Sequence, residues 1–161
     1  MPFRTHLLVV ANQTIGSSDL RTALEERAEQ GPIHVTLLAP VLWSEREEAR
    51  ARLDEECEGL RENGIECEGV LGDADPVVAV QEVWDPGRFD EIMVSTFATG
   101  ASRWMQIDLP HRVAKLTDCT VRHVESLPAV EPPPPSPPPE HRGLVESAMG
   151  LLRTSTRGRA A

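Results

Sequence analysis

Short unbroken apolar runs alternate along the chain with charged stretches in which apolar residues recur at helical spacing. His6-Leu7-Leu8-Val9-Val10 shows no polar alternation, as expected of a strand covered on both faces. Asn12 to Gly16 reads as a polar loop. Ser18 is then placed to cap a helix carrying Leu20, Ala23, Leu24 and Ala28, which Gly31-Pro32 stops. Residues 33–39 form a second buried run. Ser44-Glu45-Arg46-Glu47 has the form of a capping box, ahead of a helix with Ala49, Leu53, Cys57 and Leu60 on one stripe and Asn63-Gly64 at its end. Residues 66–71 make a weaker strand, whose two glutamates and glycine suit a sheet edge. Asp75-Pro76 supplies an N-cap and a first-turn proline for a third helix through Trp84, ended by Asp85-Pro86-Gly87. Residues 91–95 form a fourth strand. Asp108 is placed to cap a helix containing Val113, Ala114 and Leu116, and residues 120–124 form the last strand.

Nine elements, five strands and four helices, thus alternate along the chain. Right-handed crossovers then require an α/β fold: a doubly wound, five-stranded parallel sheet in the order 3-2-1-4-5 with two helices on each face. Sheets of this kind bind ligands beyond the carboxyl ends of the strands, where the strand order reverses. That point involves the loops after strands one and four. The candidate ligand-binding residues are accordingly Ala11, Asn12, Thr14, Ser95, Thr96, Gly100, Ser102, Arg103 and, at the start of the fourth helix, Asp108.

Composition changes at about residue 127. Residues 1–126 read as the α/β domain. Residues 127–161 hold Pro132-Pro133-Pro134-Pro135-Ser136-Pro137-Pro138-Pro139, which can form neither helix nor sheet ladder and reads as an extended spacer in a disordered tail. Leu144, Val145, Ala148, Met149, Leu151 and Leu152 recur at near-helical spacing, so a short docking helix at 143–153 is the alternative to a solvated tail, and the tail is a candidate contact for a protein partner. The net charge of −10 makes nucleic acid and anionic membranes poor partners. The longest apolar run, residues 7–11, is far short of the ~20 residues that span a bilayer. Three cysteines, none in a C-x-x-C pair, argue against a disulfide framework and for a reducing, cytoplasmic setting.

Leu8-Val9-Val10-Ala11-Asn12 at the start, Gly72-Asp73-Ala74-Asp75-Pro76 after strand three, and Ser102-Arg103-Trp104-Met105 followed by Arg112-Val113 and Cys119-Thr120-Val121 resemble the universal stress protein family over residues 3–126. The resemblance implies the sheet described above and a homodimer paired through the last strand. Some members bind ATP. Those carry glycine-x-x-glycine, nine residues, then glycine and a serine or threonine, because bare backbone amides must approach the phosphates. Counted back from Cys119-Thr120-Val121, these positions are Val94, Phe97, Ile107 and Asp108, and all four depart from the pattern. The family's acidic residue after strand one appears as Asn12. Gly100 does not restore the motif, since counting from it puts Arg103 at the second glycine. Asp108 is further expected to place a negative charge near the phosphates and to lend its carboxylate to the helix N-terminus. The resemblance therefore implies a regulatory or interaction domain without catalysis and without a cofactor, its nucleotide site degenerate. The alternative is a stress protein that binds ATP or AMP through a divergent site.

The remaining candidate chemistry is sparse. His6, His34 and His123 fall in strands, and His111 reads as a surface residue ahead of a ligand contact; no pair has metal-ligand spacing. Asp73 and Asp75 are too few oxygens for calcium, and capping accounts for Asp75. Trp104 either stacks on a ligand or packs under its loop. Cys57 reads as an inert core residue, while Cys67 and Cys119 lack an evident basic neighbour, apart from Arg122 near Cys119. The G-x-S-x-G elbow, the P-loop and G-x-G-x-x-G are all absent.

Overall fold

The computed structural model describes residues 3–98 and 103–127. The elements are β1 (Thr5–Val10), α1 (Ser18–Glu29), β2 (Ile33–Pro40), a 3-10 turn (Trp43–Glu45), α2 (Arg46–Glu62), β3 (Glu66–Gly72), α3 (Pro76–Val83), β4 (Glu91–Phe97), α4 (Arg103–Gln106), α5 (Leu109–Thr117) and β5 (Val121–Ser126). The five strands form one sheet in the order β3-β2-β1-β4-β5, every pair parallel. This is the expected order. Four strands extend beyond the expected limits at their carboxyl ends: β2 and β3 by one residue each, and β4 and β5 by two each.

The period-two alternation of the central strands divides the core. Leu7, Val9, Val35, Leu37 and Met93 face α1 and α2, meeting Leu20, Leu24, Leu53 and Leu60. Leu8, Val10, Leu38, Ile92 and Val94 face α3 and α5, meeting Ala79, Val80, Leu109 and Val113. Both faces of β1 are therefore dry, which is why its sequence carries no polar residue between Leu7 and Val10. Burying each of these side chains is worth about 1.5–3 kcal/mol. Gly72, the last residue of β3, lets α3 close on the sheet: a Cβ there would lie 2.7 Å from Ala79 Cβ and 2.9 Å from Leu38 Cδ1.

Helix ends follow the sequence in part. Asp75 caps α3 as expected, its carboxylate accepting from Val77 N at 2.8 Å and Val78 N at 3.4 Å. α2 ends at Asn63-Gly64, where Gly64 takes φ +80° while its N–H and that of Ile65 donate to Arg61 O and Leu60 O. Three expectations are corrected. Ser17, not Ser18, caps α1, its hydroxyl accepting from Leu20 N at 3.2 Å. The capping box at Ser44–Glu47 does not form; the chain winds through the 3-10 turn, and neither that turn nor α2 has a side-chain cap. Asp108 precedes α5 in a left-handed conformation, φ 50° and ψ 51°, and its carboxylate makes no capping bond. α4 is an additional short helix within the connection from β4 to α5. Among the described residues no helix is long and apolar enough to cross a membrane. The proline-rich segment and the stretch 143–153 lie outside the described residues.

Candidate functional site

All five strands run the same way, so their carboxyl ends share one edge of the sheet. There a cleft of about 780 Å³ opens between the loop after β1, the end of β2, the start of α3 and the α4–α5 segment. Asn12, Thr14, Ser95, Thr96 and Arg103 line it, as the strand order predicts. Ala11 and Asp108 do not. Ala11 is wholly buried in the core on the α1–α2 side, and Asp108 is exposed. Gly100 and Ser102 lie outside the described residues.

The floor of the cleft is a set of hydroxyl groups already engaged with protein. Thr14 and Ser95 are buried at 2 % and 1 % exposure. The Ser95 hydroxyl donates to Thr14 Oγ1 at 2.8 Å, and the Thr14 hydroxyl donates onward to Ser95 O at 3.3 Å. This pair braces the loop after β1 against β4. The Thr96 hydroxyl donates to Phe97 O at 3.1 Å and lies 2.7 Å from His123 Nε2. Asn12 Oδ1 accepts from Arg52 Nη2 at 3.4 Å.

The walls carry the residues that a ligand would meet. Phe97 and Ile107 both line the cleft, Ile107 at 39 % exposure. Trp104 is half-buried; it lines the cleft and packs on the α3–α5 side of the core, so it combines the two roles weighed for it. Arg103 and Arg112 supply positive charge, and Asp75 and Glu45 negative charge. The Asp75 carboxylate is occupied by its cap. Among the described residues neither Arg103 nor Arg112 has a carboxylate within 4.0 Å.

Sequence reasoning missed Arg112 as a cleft residue. Its signal was present: Arg112 is four residues after Asp108, and its N–H donates to Asp108 O at 3.1 Å in the first turn of α5. A helix starting there returns position 112 to the same side as the strand ends. The remaining histidines are as read. His6 and His34 are half-buried strand residues with rings 5.4 Å apart, and His111 is exposed. Among the described residues, no three His, Cys, Asp or Glu side chains cluster to hold a metal.

No protein-family model and no curated protein matches this sequence. Solved structures do. The universal stress protein from Archaeoglobus fulgidus superposes with a TM-score of 0.57 at 16 % identity, covering 75 % of this chain and 93 % of that one. A universal stress protein in complex with cAMP superposes with a TM-score of 0.55 at 19 % identity, covering 76 % and 97 %.

Proposed function

From a chain that carries the universal stress protein fold, we propose a non-catalytic regulatory or interaction domain whose cleft does not hold ATP by an amide cradle. The observation that carries this reading is the pair Phe97 and Ile107, whose side chains line the cleft where bare backbone would have to meet phosphates. The buried hydroxyls of Thr14 and Ser95, each donating to a protein oxygen, support a site without catalysis. The expected subunit arrangement is a homodimer through β5, the edge strand whose outer backbone has no partner strand. The expected setting is the cytoplasm, and the tail 127–161 is the expected contact for a protein partner. Truncation at residue 127 followed by a pull-down tests that contact, and light scattering tests the dimer. Extraction of the purified chain with acid, followed by chromatography of the supernatant, tests the cleft. The expected extract is free of ATP; stoichiometric ATP contradicts the reading.

A second reading rests on a different observation. Arg103 and Arg112 present two guanidinium groups to the cleft, and guanidinium suits a phosphate without any glycine. One solved neighbour of the fold is in complex with cAMP, a nucleotide with a single phosphate group, which supports this reading. An adenine nucleotide of that size, AMP rather than ATP, is the ligand this divergent site would take. AMP in the extract, or AMP binding abolished by Arg112→Gln, would move this reading ahead of the first.

A further inference from the structure

Cys57 and Cys67 stand apart from the cleft and are not used by either reading above. Cys57 lies on the buried stripe of α2 and Cys67 on the inward side of β3, at 2 % and 4 % exposure. Both belong to the core that also holds Leu53 and Leu60. Their sulfurs face each other at 2.7 Å. A second tie holds the same two elements in register: Arg61, one turn after Cys57, donates from Nε and Nη2 to Cys67 O at 3.1 and 2.7 Å. The contact between the sulfurs is therefore fixed from both sides, by helix packing and by the guanidinium. A disulfide requires ~2.05 Å between sulfurs, so the two free thiols stand near bonding distance.

We propose that Cys57 and Cys67 are a peroxide-oxidisable dithiol, closing into an intramolecular disulfide that staples α2 to the edge strand β3. The two sulfurs are not equivalent. The Cys67 thiol hydrogen-bonds to Cys57, and this, with the Arg61 charge, holds Cys57 below the ordinary thiol range against the effect of burial. The same hydrogen bond and burial push Cys67 well above that range. We assign the attack to Cys57, and the same balance holds with the two roles exchanged. The Cys57 thiolate attacks one oxygen of hydrogen peroxide, the O–O bond breaks, and the departing hydroxide takes up the proton that Cys57 released, leaving as water. Cys57 is then a sulfenic acid. The Cys67 sulfur attacks it, the S–O bond breaks, and the oxygen leaves as a second water with the Cys67 proton. Two thiols are oxidised by two electrons, and one peroxide is reduced to two waters. β3 pairs on one side alone, with β2, so the oxidant is expected to reach the buried pair by transient local opening at this edge. Cys119, half-buried in the bend between α5 and β5, has no sulfur neighbour among the described residues and serves as an internal control.

The test is intact-mass spectrometry of the reduced full chain after exposure to hydrogen peroxide, quenching, and alkylation in denaturant. The expected product carries one alkyl group, is lighter by two hydrogens, and yields a linked peptide joining Cys57 to Cys67. Dithiothreitol restores three alkylatable thiols. The oxidised chain should melt about 5–10 °C above the reduced one, since the staple restricts the unfolded chain. Cys57→Ser and Cys67→Ser should each abolish the lighter species. Should those variants fold poorly, Cys119→Ser keeps the pair intact and carries the measurement alone. Three alkylatable thiols after peroxide, oxidation confined to Cys119, or a Cys57 sulfenic acid that never closes would each overturn the proposal.

Discussion

Arg21 on α1 grips Glu56 on α2 with two prongs of its guanidinium, Nη2 donating to Oε2 at 2.6 Å and Nε to Oε1 at 3.3 Å. The Glu56 side chain is 4 % exposed and that of Arg21 43 %. The hydrogen bond and the facing charge hold the Arg21 pKa above its ordinary value. A carboxylate taken out of water loses hydration that only a partner restores. Removing Arg21 should therefore hurt more than neutralising both groups. Arg21→Met is expected to cost about 2–4 kcal/mol in urea unfolding, at the lower side of buried-pair losses because the guanidinium is half in solvent. The double variant Arg21→Met/Glu56→Gln should recover part of that loss. A double variant less stable than Arg21→Met would reject the pairing as the source.

Gly72 is expected to be irreplaceable by a residue one carbon larger. An added Cβ meets Ala79 Cβ at 2.7 Å and Leu38 Cδ1 at 2.9 Å, so α3 must lift from the sheet. Gly72→Ala should destabilise by about 1–3 kcal/mol. Ala79→Gly in the same chain should return part of it, less the cost of glycine in a helix. If Gly72→Ala melts with the parent chain, α3 is less tightly seated than described.

The β3 edge should show acid sensitivity. Glu66 lies below its ordinary value of 4.5, chiefly because His34 hydrogen-bonds to it, with Arg4 adding to the effect. Burial pushes Glu68 up, but the Thr36 hydroxyl, Arg88 and His34 together outweigh it and leave it lowered. A carboxylate lowered in the folded chain takes its proton later than the unfolded chain does. Its contribution is present above the ordinary value and is lost as pH falls through the folded value. Both groups are largely in solvent, so the effect is small and screened by salt. Glu68→Gln should flatten the decline of melting temperature below pH ~4.5, and added salt should shrink the difference. Equal slopes for the two chains at low salt would contradict it.

Much of the fold was legible because its signals are local. Leu7 to Val10 and the run from Ile33 read as doubly covered strands, and Glu66 and Glu68 marked β3 as an edge, where Arg4, Arg88 and His34 in fact meet them. The errors fall where a distant residue decides. Ser17 rather than Ser18 caps α1, and its hydroxyl also meets Ser126 Oγ at 3.0 Å, a partner at the far end of the domain. The capping box at Ser44 yields to a turn in which Arg46 stacks over Trp43 at 5.2 Å. The cleft was legible through topology, which placed Asn12, Thr14, Ser95 and Thr96 together. What those groups bond to was not, because the Thr14–Ser95 brace and the Thr96–His123 contact depend on strand register. The helical stripe showed Cys57 as buried, yet only the packing of α2 on β3 shows that it meets Cys67.

The account depends most on the proposal that Phe97 and Ile107, which line the cleft, stand where phosphates would need bare amides. Isothermal titration of magnesium ATP into the full chain tests this most directly. The account predicts no saturable heat up to ligand concentrations on the order of a millimolar, the weak limit of specific binding. A saturable isotherm with a dissociation constant in the micromolar range would contradict it.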